Sequence, residues 1–307
     1  MTFPRTYPFS GEVLIPINQG KMMDSSLPSP ALIPFLPGVN VLIEGDTGTG
    51  KTWSLGTLAD MGLHLHYFNF EAGGESLRGF WTDAGKQVPP NVHYHTIQQS
   101  RASWVEMADA AKQVNTLSYE LLKKVTDPSR SKYDQFENFL RNFAAPKDDE
   151  GHLYPSVDTW GTDRIIAIDG LTGLGGAAMA AVIGGKVDRD QKDWGLAQNL
   201  VEGTLRRLCD ACRCHFVLLA HLEREADPLG GTSKVTVSTL GAKLAPKIPP
   251  MFSDVARAKR VKADFWWDTE DPQCDLKARN LPISGKIPQN FKLILDKWVS
   301  RGGRISA

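Results

Sequence analysis

Long hydrophobic runs are missing from this sequence: no stretch approaches the ~20 consecutive apolar residues that a membrane-spanning helix needs. The opening stretch, MTFPRTYPFSGEV, also lacks the apolar core of a secretory signal. A soluble, cytoplasmic protein without a membrane partner is therefore expected. Nor does charge of either sign prevail. Lys plus Arg number 35 and Asp plus Glu number 35 among 307 residues, so the formal net charge is zero. That excludes a protein that coats nucleic acid indiscriminately, while leaving room for a local basic patch. Cysteine is scarce, and four in a chain this long do not make a disulfide scaffold. Three of them cluster in CDACRCH, as Cys209, Cys212 and Cys214, followed by His215. A zinc site would need ligand pairs that are not there, so these cysteines read as packing between an apolar helix and an apolar strand. Internal repeats and low-complexity tracts are lacking as well. What remains is ordinary globular composition, at a length that suits one large or two modest domains.

Three divisions are expected. Residues 1–39, rich in proline and turn formers, form an extended arm; residues 40–299 form the main domain; residues 300–307 form a tail. Val41 to Ile43 is an apolar run of the kind found in strands buried on both faces. A helix should start at Lys51. LHYFNFE and VHYHTI read as further strands, with a helix from about Gly74 between them. SWVE, Ser103 to Glu106, is a capping box. Behind it Trp104, Ala108, Ala111, Val114, Leu121 and Val125 recur at helical spacing, and Tyr133, Phe136, Phe139, Leu140 and Phe143 mark another helix. These helices fall between strands and form a helical insertion at about 103–145, its aromatic stripe serving as packing. RIIAID is a fourth strand, WGLAQNLVEGTLRRL a helix and HFVLLAH a fifth strand. KVTVST, ADFWWDT and DLKAR follow as strands, the last two joined through EDPQ into a C-terminal β-hairpin at about 255–280. NFKLILDKW closes the chain as a helix. The expected fold class is α/β, with a mainly parallel sheet extended at one edge by the antiparallel hairpin.

The chemistry is concentrated in IEGDTGTGKTWSL. Gly45, Asp46, Thr47, Gly48, Thr49, Gly50, Lys51 and Thr52 fit the pattern G-x-x-x-x-G-K-[ST] after an apolar strand. Glycines let backbone N–H groups turn inward onto phosphates, the lysine adds a point charge and the threonine hydroxyl ligates Mg²⁺. Asp169, ending RIIAID, is the matching acidic residue that holds the metal through water. Hydrolysis also needs a base for water. Gly170, next to Asp169, cannot be that base. Glu71, at the end of the neighbouring strand in YFNFEAGGES, is the candidate, with Glu75 a second choice.

Together these residues resemble the RecA-type branch of P-loop ATPases, and more closely the bacteriophage-encoded RecA-like ATP-binding proteins. The resemblance rests on GDTGTGKT, FNFEAGGESL, IAIDGLTGL, FVLLAHLERE, TLGAKLAPKIPPMFSDV and LKARNLP, in that order, from about residue 38 onward. It implies a RecA-like core that binds ATP and Mg²⁺, and hydrolysis with Glu71 as the catalytic carboxylate. It implies that His221, ending the fifth strand, senses the γ-phosphate. It further implies that Lys277 and Arg279, a K-x-R pair, reach into the next subunit's site, which makes the protein a homo-oligomer, ring or filament. Relatives bind single-stranded DNA through two loops, here GLTGLGGAAMAAVIGGKVDRDQKDW and LEREADPLGGTSKVTVSTLGAK, expected to be mobile. A cationic stretch with Lys243, Lys247, Arg257, Lys259, Arg260 and Lys262, followed by Phe265, Trp266 and Trp267, is a candidate DNA track. The expected function is that of a DNA recombination or replication ATPase of phage type, working in the host cytoplasm. A nucleotide-gated assembly or loader factor acting on a protein partner is the alternative.

Overall fold

The architecture follows from parallel strands most of which are buried on both faces. In the computed structural model, residues 36–70, 74–98, 103–114, 118, 134–184, 189–225 and 234–307 are described. The parallel strands are β1 (Asn40–Gly45), β2 (His64–Asn69), β3 (Val92–Thr96), β4 (Arg164–Asp169) and β5 (His215–Ala220). Along each, residues alternate between two apolar layers, as a period of two requires. Leu42, Phe68, Ile166, Ile168, Phe216 and Leu218 enter one layer; Val41, Ile43, Leu65, Ile165, Val217 and Leu219 enter the other.

Helices cover both layers. The second layer is closed by α1 (Lys51–Ser54), α2 (Gly56–Ala59), α3 (Gly74–Thr82) and the last helix of the chain. The first is closed by α5 (Gln135–Ala144), α6 (Leu171–Ile183) and α7 (Gln191–Ala211), which follow α4 (Trp104–Val114). Beyond β5 come the ribbon β6 (Leu222–Glu225) and β7 (Lys234–Val237), then β8 (Asp254–Val261), β9 (Asp264–Asp268), β10 (Lys277–Ala278), β11 (Ile287–Pro288) and α8 (Lys292–Ser300). The sheet runs β11-β9-β8-β1-β5-β4-β2-β3, with β10 on β8.

Four expectations need correction. First, the C-terminal hairpin is β8–β9, turning at Lys262, whose φ is 57°. DLKAR does not pair with ADFWWDT; β10 lies antiparallel on β8 instead. The buried Asp254 carboxylate decides this, accepting from Asn280 N at 2.6 Å, Asn280 Nδ2 at 2.7 Å and Leu281 N at 3.0 Å. Second, β8 is an inner strand, parallel to β1, although its sequence DVARAKRV reads as a cationic run. Only its far end leaves the core. Third, of the glycine-containing segment after β4, 185–188 lie outside the described residues, while Leu171–Ile183 form helix α6 rather than a mobile loop. Small residues let it pack closely (a side chain at Gly175 would meet Leu240 at 3.1 Å), and that burial offsets glycine's poor helix propensity. The segment after β5 likewise contains the β6–β7 ribbon. Fourth, α4 does not pack by its predicted stripe. Its capping box forms, with Ser103 N donating to Glu106 and Glu106 N to Ser103 at 2.6 and 3.3 Å, yet Trp104 is 86% exposed. In α5, by contrast, Phe136 and Phe139 are buried against the sheet. Leu121, Val125 and Tyr133 lie outside the described residues, as does the arm up to residue 35.

Candidate nucleotide site

The glycine loop springs from the carboxyl end of β1. Gly45 must be glycine because β8 passes so close that a Cβ would sit 2.7 Å from Ala258 O. Gly50 has a φ of 84°, the left-handed region that side chains disfavour. Thr49 Oγ1 donates to Asp46 O at 2.8 Å and closes the turn. Lys51 is buried, its ammonium donating to Gly45 O at 2.7 Å and Asp46 O at 2.9 Å. A cation is thus held against the loop's own carbonyls, at the start of a helix whose first N–H groups face the same place.

Across the sheet edge, Thr52 Oγ1 donates to Asp169 Oδ2 at 2.7 Å. Hydroxyl and carboxylate are 117 positions apart in the chain and are brought together because β1 and β4 flank β5. The donor set fits Mg²⁺ and a triphosphate: hard oxygen ligands and a lysine beside a glycine loop. The sequence reading missed Tyr67, which donates to the same Asp169 oxygen at 2.8 Å. The available signal was a tyrosine in a fully buried strand, where its hydroxyl must find a partner.

Glu71 lies outside the described residues. The chain leading to it is seen: Phe70 N donates to Asp169 O at 2.8 Å, so β2 leaves the sheet beside the Asp169 carboxylate. Glu75 is exposed in the first turn of α3. His221 is half-buried just after β5, and its carbonyl accepts from Ser238 N at 2.7 Å, tying the strand end to the β6–β7 ribbon. Lys277 and Arg279 do not share a strand face, since β10 ends at Ala278. Lys277 Nζ donates to Phe252 O at 2.7 Å, while Arg279 is exposed. In register β10 lies beside Val255, itself opposite Leu42, well back from the loop of its own chain.

The expected DNA track is not a continuous row of open cations. Arg257 is buried and pairs with Asp271 at 2.7 Å, Lys259 lies 2.7 Å from both Asp268 and Asp271, and Lys247 pairs with Glu202 at 2.8 Å. Lys243 and Arg260 are exposed. Alternation along β8 and burial of its first half separate residues that are neighbours in sequence. Cys212 and Cys214 are buried and Cys209 is half-buried; among the described residues no group of three His, Cys, Asp or Glu side chains has metal-holding geometry. His215 Nδ1 accepts from Val39 N at 2.9 Å, and burial lowers its pKa to about 4.

Fold and loop together define a P-loop nucleotide-binding protein with an α/β core. A family model described as an AAA domain matches residues 38–281, and the chain belongs to that family. No curated protein matches it in sequence. Among solved structures it is distantly similar to flagellar accessory protein FlaH from Methanocaldococcus jannaschii, at 9% identity and a TM-score of 0.35, over 82% of this chain and 84% of that one. It is similar to the RadB recombinase at 11% identity and a TM-score of 0.32, over 76% and 81% of the two chains. Among the described residues no helix is long and apolar enough to cross a membrane.

Proposed function

We propose that this protein binds ATP with Mg²⁺ and hydrolyses it as a homo-oligomer, serving DNA recombination or replication of phage type on single-stranded DNA. The observation that carries the nucleotide reading is the contact between Thr52 Oγ1 and Asp169 Oδ2 at 2.7 Å, at the mouth of the loop that wraps Lys51. Mg²⁺, if bound there, would supply positive charge to offset the negative charge of the phosphates. Thr52 and Asp169 would hold it, Lys51 would meet the β- and γ-phosphates, and the loop N–H groups would orient the chain of phosphates. Glu71, just past the strand that leaves beside Asp169, would accept the proton of the attacking water.

Titration calorimetry with ATP and Mg²⁺ tests this. Lys51→Ala should weaken binding by about 100-fold, as expected for loss of a charge-assisted contact. Glu71→Gln should leave binding intact and slow turnover by about 100-fold or more. No heat from ATP with wild-type protein would sink the reading. For DNA, anisotropy against salt should show single-strand binding that weakens steeply as salt rises; no binding at low salt would remove that part. The intramolecular pairing of Lys247, Arg257 and Lys259 favours a second reading, a nucleotide-gated assembly or loader factor that grips a protein partner. Glu71→Gln separates the two: biological function collapses with turnover under the first and persists under the second.

A further inference from the structure

A bound triphosphate has a direction, and this site defines it. Its metal-bearing end belongs at Thr52 and Asp169, on the β4 side of the loop. β8 and β9 lie on the other side of β1. A nucleotide laid along the loop therefore points its nucleoside toward the β8–β9 hairpin, on the reading proposed above. That flank is built. Arg260 Nη1 donates to Gly48 O at 3.3 Å, and its guanidinium lies 5.0 Å from the centre of the Phe265 ring. Phe265 in turn stands beside the loop, its Cδ1 3.1 Å from where a Cβ on Gly50 would be, and its side chain remains 40% exposed. Gln289, 8% exposed, ties the loop to the hairpin by donating to Thr49 O at 2.9 Å and Trp266 O at 3.1 Å.

From this we infer that the β8–β9 hairpin carries the nucleobase side of the nucleotide site in the same chain, with Phe265 as the stacking surface. An exposed ring backed by a guanidinium and abutting a phosphate loop offers a π-face to any purine or pyrimidine. Stacking of a base on an aromatic side chain strengthens binding by about 10- to 100-fold. Arg260, already oriented by the loop carbonyl, adds a cation near the phosphates closest to the nucleoside.

Inorganic tripolyphosphate, which has the phosphates without the base, isolates this contribution. The full-length chain and its Phe265→Leu and Phe265→Trp variants are titrated with ATP and with tripolyphosphate, both with Mg²⁺. Leucine keeps bulk against Gly50 but removes the π-face. The expected result for Phe265→Leu is ATP binding about 10-fold or more weaker with tripolyphosphate binding unchanged, and recovery of ATP binding in Phe265→Trp. Equal losses for both ligands, or unchanged ATP affinity in Phe265→Leu, overturn the inference and leave the nucleotide reading standing. If neither ligand binds the wild-type chain, both fall together.

Discussion

Glu44 precedes the glycine loop by one position and is 2% exposed, with Oε1 lacking a hydrogen-bond partner. Burial raises its pKa to about 7, against a hydrogen bond with Cys274 and the charge of Arg257, its cross-strand partner. A carboxyl group with a raised pKa stabilises the fold fully below the unfolded value of about 4.5 and loses that contribution as pH rises through about 7. Glu44→Gln should therefore stabilise the protein by about 2–3 kcal/mol at pH 8 and change little at pH 4.5. Urea denaturation at the two pH values checks this; equal effects at both would refute it. At this scale the sequence was partly legible. Lys51, Thr52 and Asp169 announce themselves because phosphate chemistry demands those types at that spacing after a strand. Tyr67 and Phe265 do not, because aromatic residues in strands look like core until a partner across the sheet is known.

Between residues and the whole molecule, strand register does the work. β2 and β3 pair in parallel with His66 opposite His93, which places His64, His66, His93 and His95 on one face. His64 Nδ1 is 3.1 Å from His93 Nε2, and His66 Nδ1 is 3.0 Å from His95 Nε2. Tyr154 lies between His93 and Asp148, at 2.8 and 2.6 Å, and Trp160 covers His66 at 4.1 Å. Burial, reinforced by the neighbouring imidazoles, lowers His93 to about 4 and lowers His66; burial also lowers His95. Asp148 opposes the shift at His93, and Arg164 adds to it. A histidine held neutral contributes stability above its unfolded pKa of about 6.5 and loses it as pH falls toward the folded value. The melting temperature should drop by about 5 °C or more between pH 6.5 and 4.5, and His66→Phe should flatten that dependence. A flat profile in the wild type would refute it. Elements were the most legible level, since the five parallel strands and most helices stand where periodicity puts them. The misreadings share one cause: α6, β8 and α4 depend on what covers them, and neighbours along the chain do not tell.

The proposed homo-oligomer is a property of the whole molecule. Lys277 and Arg279 lie away from their own glycine loop, and the proposed oligomer would put them in a neighbour's site. If so, Lys51→Ala and Arg279→Ala chains, each inactive alone, should regain about a quarter of wild-type turnover when mixed equally, because half the sites keep the lysine and half of those meet an intact arginine. No recovery on mixing would refute the arrangement. The sequence by itself determined the glycine loop, the strand-ending aspartate and the α/β character, because loop chemistry and strand burial are written in local residue types. Tertiary structure alone decided that Thr52 meets Asp169 across the strand that separates β1 from β4, that Tyr67 donates to the same carboxylate from β2, that β8 is core, and that the cations of the C-terminal hairpin are split between buried ion pairs and the rim of the loop. Those outcomes rest on which strands become neighbours, a choice made by burying the most apolar surface over the whole chain and not by any short stretch of it.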